Sequence, residues 1–378
     1  MEGKPMRRVK RNILLTPGPA TTTDTVKDAQ VVPDICPREP EFGRLMETVA
    51  MELTRLVADP RETATVLFGG SGTAAVESIL SSVVNEGTLL VLNNGAYGRR
   101  MCEIADAYGI KYIPFDSSPL EPVDLNALEK QIQTSPHKIS HLAVVHHETT
   151  TGLLNDIGAM GQLCKKYGID LIVDAISSFA AIPIQMKAMN ISYLAASANK
   201  NLQGMPGVSF VIADRTKLDG LRHHKKRNYY LHLYDQYRYF EQTRQLRFTP
   251  PVQTLYALNQ AIVELKREGV EKRYQRYAKS WQTLIHGINR LGLKHLVPEP
   301  HHSKLITSIL EPDCAGYDFR HMHDYFYSRN ITIYPGKLTN SKTFRIANIG
   351  DITHQEIQVF IDLLERYLNS IQYKPKGG

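Results

Sequence analysis

The chain has 378 residues, 42% of them hydrophobic and 22% charged, an ordinary globular composition with ample length for a core. No apolar run reaches the ~18 residues of a membrane-spanning helix, and the basic start, Met1 to Arg11, lacks the apolar stretch of a secretory signal. The net charge is +7, but Lys and Arg are spread along the chain, with no zinc-finger spacing and no RNA-binding aromatic signature, so the balance suits small anionic substrates better than nucleic acid. Cys36, Cys102, Cys164 and Cys314 lie far apart without metal spacing, as expected of free thiols in a reducing cytoplasm.

Taken in order, the elements predict an α/β architecture. Residues 1–12 read as a loose tail. Pro17, Gly18 and Pro19 can continue neither a helix nor a central strand, so the backbone turns there. Residues 32–41, rich in proline and charge, are expected to form a loop, with Arg38 as a candidate anion contact or a solvated loop charge. Leu45, Met46, Val49, Leu53, Leu56 and Val57 have helical spacing. A short strand, 65–68, runs into Gly69, Gly70, Ser71, Gly72 and Thr73 and then a helix over 74–84. That layout suits a phosphate. Glycines admit close approach, helix-start amides point at the anion, and Ser71 and Thr73 add hydroxyls; a plain tight turn would read the same way. Strand 89–92 leads through Asn94 and Gly95 into another helix, with Tyr97 placed to stack on a flat ring. Strand 111–115, a helix capped by Asp124 and strand 141–146 follow. His147, Glu148, Thr149, Thr150 and Thr151 come directly after that strand, and so many polar side chains at the end of a core strand point to a site.

Asp170–Asp174 reads as a buried parallel strand ending on a carboxylate. The apolar run 193–197 delivers Lys200 to the same sheet edge, where open α/β sheets hold their ligands. One chemistry uses such a pair: a lysine forms a Schiff base with pyridoxal phosphate while a carboxylate keeps the pyridine nitrogen protonated, so that the ring becomes an electron sink. Strand and helix alternate from 65 to about 215, which predicts a mostly parallel, doubly wound sheet. The aromatic, polar stretch 228–251 suits a site wall or a subunit interface. Beyond it come helical patterns over about 252–269 and 270–291, strands at 305–310, 332–334 and 343–346, and helices near 317–329 and 354–369, the last with a Thr353–Glu356 capping box. The expected division is a tail, 1–12, a large domain, 13–270, whose segment 13–41 belongs to the site, and a small α+β domain, 271–378.

Seven motifs in one order, Leu14–Pro19, Gly70–Thr73, Asn94–Gly98, Glu148–Gly152, Val173–Ser178, Arg247–Pro251 and Tyr334–Thr339, resemble the class V aminotransferases of the fold-type I pyridoxal-phosphate enzymes. Within that group they look like the 2-aminoethylphosphonate:pyruvate aminotransferases, over about residues 12–370. The resemblance implies an α/β fold-type I enzyme that uses pyridoxal 5'-phosphate to move an amino group from the aminophosphonate to pyruvate, as a homodimer. It implies Lys200 as the Schiff-base lysine and Asp174 at the pyridine nitrogen, with Tyr97 stacked on the ring. It implies Ser71, Gly72 and Thr73 on the phosphate with Thr249 reaching in from a second subunit, Thr149 or Thr151 at the ring hydroxyl, and Arg345 at the acidic end of the substrate. A dianionic phosphonate needs more than one cation, and Arg38, Arg247 and Lys337 are the candidates to join Arg345. The chain departs from the family's usual pattern at Asn199 before the lysine, at His147 before the Glu148 turn, and in the loop 34–41. An alanine–glyoxylate or serine–pyruvate type of transaminase would use the same machinery on carboxylates. A cysteine desulfurase would need a thiol on a mobile loop, for which Cys314 is the candidate.

Overall fold

The computed structural model describes residues 11–336 and 341–375. Strand β1 (Ile13–Leu14) precedes a single-turn helix, α1 (Asp24–Asp28), whose Val26 amide donates to the Thr23 hydroxyl. Helix α2 (Pro40–Arg55) begins on a proline, which suits a first turn because the N–H it lacks would have had no helical partner. From here strands and helices alternate as the sequence predicts: β2 (Thr63–Gly69), α3 (Gly72–Val83), β3 (Thr88–Asn93), α4 (Ala96–Ala107), β4 (Tyr112–Asp116), α5 (Leu125–Thr134) and β5 (Ile139–Val145). Asp124 caps α5 as expected, accepting from the amides of Asn126 and Ala127. A two-residue hairpin, β6 (His147–Glu148) and β7 (Leu153–Leu154), interrupts the alternation before α6 (Ile157–Tyr167), β8 (Asp170–Asp174), β9 (Ile191–Ser197), β10 (Val208–Asp214) and α7 (Arg215–Gly220).

Seven strands form the central sheet in the order β2-β10-β9-β8-β5-β3-β4. The neighbours from β9 to β4 are parallel; β10 is antiparallel to both β9 and β2. Both faces are covered, which is why the strands read as continuous apolar runs. In β3, Leu89 and Val91 join the core with α3 and α4, while Leu90 and Leu92 join the core with α2 and α6, as the two-residue period of a strand requires. Because β2, β3, β5, β8 and β9 run the same way, residues 69–73, 93–97, 145–149, 174 and 198–200 all leave the sheet at one edge.

The stretch expected only as an aromatic wall contains a helix, α8 (Leu233–Thr243). Its buried stripe is narrow, Leu233, Gln236 and Tyr237, so polar side chains masked the helical period. After it come α9 (Val252–Glu268), α10 (Val270–Arg290), β11 (Ile306–Leu310), α11 (Phe319–Tyr327), β12 (Ile331–Thr332), β13 (Tyr334–Pro335), β14 (Thr343–Ala347) and α12 (His354–Ser370). The expected strand at 332–334 is split: β12 pairs with β1, and β13 pairs with β14 in the three-stranded order β11-β14-β13. Trp281, Phe326, Phe344 and Phe360 centre a separate apolar core here, and the Thr353–Glu356 capping box is present. Of the expected tail, residues 1–10 lie outside the described residues, while Arg11 forms ion pairs with Asp351 and Glu356.

Helix α4 lies so close to β3 that a Cβ on Gly98 would collide with the carbonyl oxygen of Leu92. Both groups belong to the backbone, so the helix itself would have to move, and overpacking of this kind costs about 1–3 kcal/mol. Gly98→Ala is expected to lower the thermal unfolding midpoint by several degrees; a midpoint within one degree or so of the parent would contradict the packing.

Candidate active site

Asp174 ends β8, and Lys200 lies in the connection from β9 to β10. That connection is closed by the Ala198 amide donating to Val208 O at 3.0 Å and the Gly204 amide donating to Ala198 O at 2.8 Å. Buried side chains brace it further. Asn201 Nδ2 donates to the carbonyls of Ser177 and Phe179, and the buried Arg273 donates to Asn201 O at 2.6 Å. The result is a narrow cavity lined by Asp174 and Lys200 together with Tyr97, His147, Thr149 and Ile176. Lys200 Nζ donates to the carbonyl of Pro17, and a Cβ on Gly18 would land on that amine, so the turn expected at 17–19 is the roof over the lysine. Burial pushes the Asp174 carboxyl up to about 6, and the nearby Glu148 charge adds to the shift. The Ile176 amide at 3.0 Å, Arg100 and Lys200 pull the other way.

Beside the cavity, α3 starts at Gly72. Its N-cap, Ser71, makes no side-chain cap bond, and the first turn holds no acid, so the helix-start amides are left for an anion. Gly72 packs against Ile176, where a Cβ would come within 2.6 Å of the side chain. Arg100 donates to Thr73 Oγ1 at 3.4 Å and lies 4.8 Å above the Tyr97 ring. The sequence reading missed Arg100; its signal was the three-residue helical spacing from Tyr97, which puts a cation next to the glycine turn.

Of the two candidate threonines, Thr149 lines the cavity, and among the described residues its buried hydroxyl has no hydrogen-bond partner. The Thr151 hydroxyl instead accepts from the Leu153 amide inside the turn. Arg345, in the middle of β14, is buried. Its Nε donates to Pro335 O at 3.0 Å and its Nη1 to Thr149 O at 3.3 Å; among the described residues its Nη2 has no partner. Burial lowers the pKa of this guanidinium, and an orphaned buried donor on a cation is costly unless a ligand answers it. Glu148, to which the sequence reading gave no role, is fully buried against the Tyr97 and Thr150 amides, and burial raises its pKa. His147 is held at both nitrogens, to Ser177 O at 3.3 Å and Ser303 Oγ at 2.9 Å, and burial lowers its pKa to about 4, so the ring is neutral.

Other expected residues lie elsewhere. Arg38 is exposed and not brought to the cavity; its guanidinium donates to Gln245 Oε1 and to the carbonyls of Leu246 and Arg247. Arg247 is engaged with Tyr229 O and Asp235. Lys337 falls outside the described residues. Thr249 is exposed, in a groove with Gly69 and Tyr230. Cys314 sits in the turn between β11 and α11, away from the lysine cavity, so the desulfurase requirement for a thiol at the site has no support in this chain.

The donor set fits a flat ligand with a basic ring nitrogen toward Asp174, an oxygen toward Thr149, a phosphate toward the start of α3 and a carbonyl carbon toward Lys200. The same burial that raises Asp174 implies a stability cost. Its folded pKa exceeds its unfolded value, so the protonated form favours folding, and the advantage is lost as pH rises from about 4 through about 6. In ligand-free protein at pH 7.5, Asp174→Asn, which mimics the protonated acid, is expected to be more stable than the parent by on the order of 2 kcal/mol. The gap should close at pH 4. Thermal unfolding at the two pH values checks this, and an Asn variant less stable at pH 7.5 would contradict it.

Residues 29–353 match the model of the family described as aminotransferase class-V. The chain is 40% identical to the 2-aminoethylphosphonate–pyruvate transaminase of Klebsiella pneumoniae subsp. pneumoniae, over 93% of this chain and 96% of the relative. Among solved structures, ureidoglycine–glyoxylate aminotransferase from Bacillus subtilis is alike in fold, with a TM-score of 0.88 at 22% identity, covering 99% of this chain and 97% of that one. Alanine–glyoxylate aminotransferase from Nostoc sp. has a TM-score of 0.86 at 26% identity, covering 98% and 97%. The chain belongs to the class-V aminotransferase family and has its α/β, fold-type I architecture.

Proposed function

We propose that this protein transfers the amino group of 2-aminoethylphosphonate to pyruvate, giving phosphonoacetaldehyde and alanine, with pyridoxal 5'-phosphate as cofactor. The observation that carries this reading is the convergence of Lys200, Asp174 and the uncapped start of α3 on one sheet edge, in a chain 40% identical to a transaminase of that name. When bound, the cofactor supplies a carbonyl carbon that takes up the amino group and a protonated ring that accepts electrons. The residues of the chain then divide the work. The amides of Gly72 and Thr73 and the hydroxyls of Ser71 and Thr73 hold the phosphate, with Arg100 adding charge. The Asp174 carboxylate keeps a proton on the ring nitrogen, which in turn favours its own ionised form. Tyr97 covers the ring, and the unpaired Thr149 hydroxyl meets the ring oxygen. Lys200 Nζ moves the proton at the carbon that bears the donor's amino group, and the Pro17 carbonyl holds that amine beforehand. The orphaned Nη2 of Arg345 receives an acid oxygen of either substrate in turn.

A homodimer belongs to the same proposal. Tyr229 and Tyr230 are exposed, Tyr230 stacks on Phe248 at 4.8 Å, and Thr249 next to them is free to reach a second copy's phosphate site. Arg38 enters as the brace that holds residues 245–247 in place. The division at residue 270, and a cytoplasmic location, are likewise proposed; the first is supported by the separate apolar core around Trp281, and the second by the four unpaired cysteines. Among the described residues no helix is long and apolar enough to cross a membrane.

The alternative, an alanine–glyoxylate type of transaminase, rests on the lower identity of 26%. Comparing kcat/KM for 2-aminoethylphosphonate, alanine, serine and β-alanine with pyruvate or glyoxylate separates the two. The aminophosphonate with pyruvate is expected to lead by at least about tenfold, roughly 1.4 kcal/mol of transition-state stabilisation. A tenfold lead for alanine with glyoxylate would replace the reading. Arg345→Lys exchanges a planar fork for a point charge and should raise KM for both the aminophosphonate and pyruvate. A KM changed for neither in steady-state assays would remove Arg345 from substrate binding.

A further inference from the structure

Helix α4 carries Tyr97 in its first turn, yet its N-cap is Gly95, which has no side chain to cap with, and the turn holds no acid. The cap comes from a residue distant in sequence. Glu148 Oε2 accepts from the Tyr97 amide at 3.3 Å and lies so close to Gly95 that a Cβ there would collide with it. The other oxygen, Oε1, accepts from the Thr150 amide at 3.0 Å and the Thr150 hydroxyl at 2.5 Å. The main chain of Glu148 closes the same turn, since its carbonyl accepts from the amides of Thr151 and Gly152. Thr149 is inside that turn, with its unpaired hydroxyl on the cavity and its carbonyl accepting from Arg345. One carboxylate therefore holds two separate segments, the one that carries the Tyr97 ring and the one that carries the Thr149 hydroxyl.

We propose that Glu148 is a positioning residue that fixes Tyr97 and Thr149 relative to each other, so that a flat cofactor is gripped at its face and its edge in one orientation; this rests on the pyridoxal-phosphate reading above. The carboxylate is suited to the task because it is acceptor-only and here answers three donors. A glutamine in its place would set its NH2 against either the Tyr97 amide or the Thr150 donors, and so could serve one segment but not both.

The bonds run to the backbone amide of Tyr97 and to Thr150, not to the Tyr97 ring or the Thr149 hydroxyl, which gives a clean test. Glu148→Ala and Glu148→Gln are made in the parent and in a Tyr97→Ala/Thr149→Ala background, where every bond to Glu148 remains possible. The dissociation constant of pyridoxal phosphate and the visible circular dichroism of the bound cofactor are measured for each, with thermal unfolding of the cofactor-free proteins. In the parent, Glu148→Ala should weaken cofactor binding at least tenfold and at least halve the visible dichroism, with Glu148→Gln weakening binding about threefold or more. In the truncated background either substitution should change binding by less than twofold, while its effect on unfolding persists. If Glu148→Ala does not fold, the glutamine variant carries the comparison. Equal losses in both backgrounds, or binding within twofold of the parent for the Glu148 variants, would overturn the positioning role alone. A parent that takes up no pyridoxal phosphate would overturn the functional reading and this inference with it.

Discussion

A carboxylate held out of water at the end of a parallel strand is the constraint on which the site depends. Asp174 is only 7% exposed, and burial penalises its charge. Its position is not negotiable, because Val145 and Ala195 pair with it on either side and its own carbonyl accepts from the His146 amide. What surrounds it is compensation: an amide two residues on, and the cations Arg100 and Lys200 reaching in from α4 and from the β9–β10 connection. Those cations sit there because α4 packs on β3 through Gly98 and because Asn201 and Arg273 brace the lysine turn. The fold thus keeps an unfavourable charge in place, and a cationic ring nitrogen is the partner that would relieve it.

The fold was legible because its strands are buried on both faces, so each reads as a short apolar run between turn residues. Asp170–Asp174 and the Thr353 capping box could be read residue for residue, since their signals are local. Helix α8 was not, because only three of its side chains are buried and one is a glutamine. The site divides in the same way. Lys200, Asp174 and the glycine turn follow strands, and topology alone brings strand ends together. Arg100 sits one turn from Tyr97 and Glu148 bonds Thr150 close by, but their contacts with Thr73 and with Tyr97, 27 and 51 residues away, are announced by no local pattern. Thr149 and Thr151 differ in which way the side chain leaves a tight turn: among the described residues the Thr149 hydroxyl finds no hydrogen-bond partner, while that of Thr151 accepts from the Leu153 amide. Arg38 was read as a candidate anion contact, but an arginine in a charged loop carries no direction in sequence; within the chain it donates to Gln245 and to the carbonyls of Leu246 and Arg247.

Two parts of the site are far apart in sequence yet tied by a short strap. Ile13 and Leu14 pair with β12, and Leu15 O accepts from the Ala347 amide, two residues beyond Arg345. A few residues on, the Ala20 amide donates to Asn199 O and the Pro17 carbonyl receives the Lys200 amine. The lysine and the buried arginine are therefore positioned through one segment.

The cavity and its surroundings also carry polar groups that a packed apolar core would not contain. Among the described residues the Thr149 hydroxyl and Arg345 Nη2 are buried without hydrogen-bond partners, and burial raises the pKa of Asp174. Unmet buried donors and acceptors typically cost ~1–3 kcal/mol each. Thr149 and Asp174 line one cavity, and Arg345 donates to the Thr149 carbonyl beside it. A ligand that partnered these groups would bind the folded state alone, and its binding energy would add to stability through linkage.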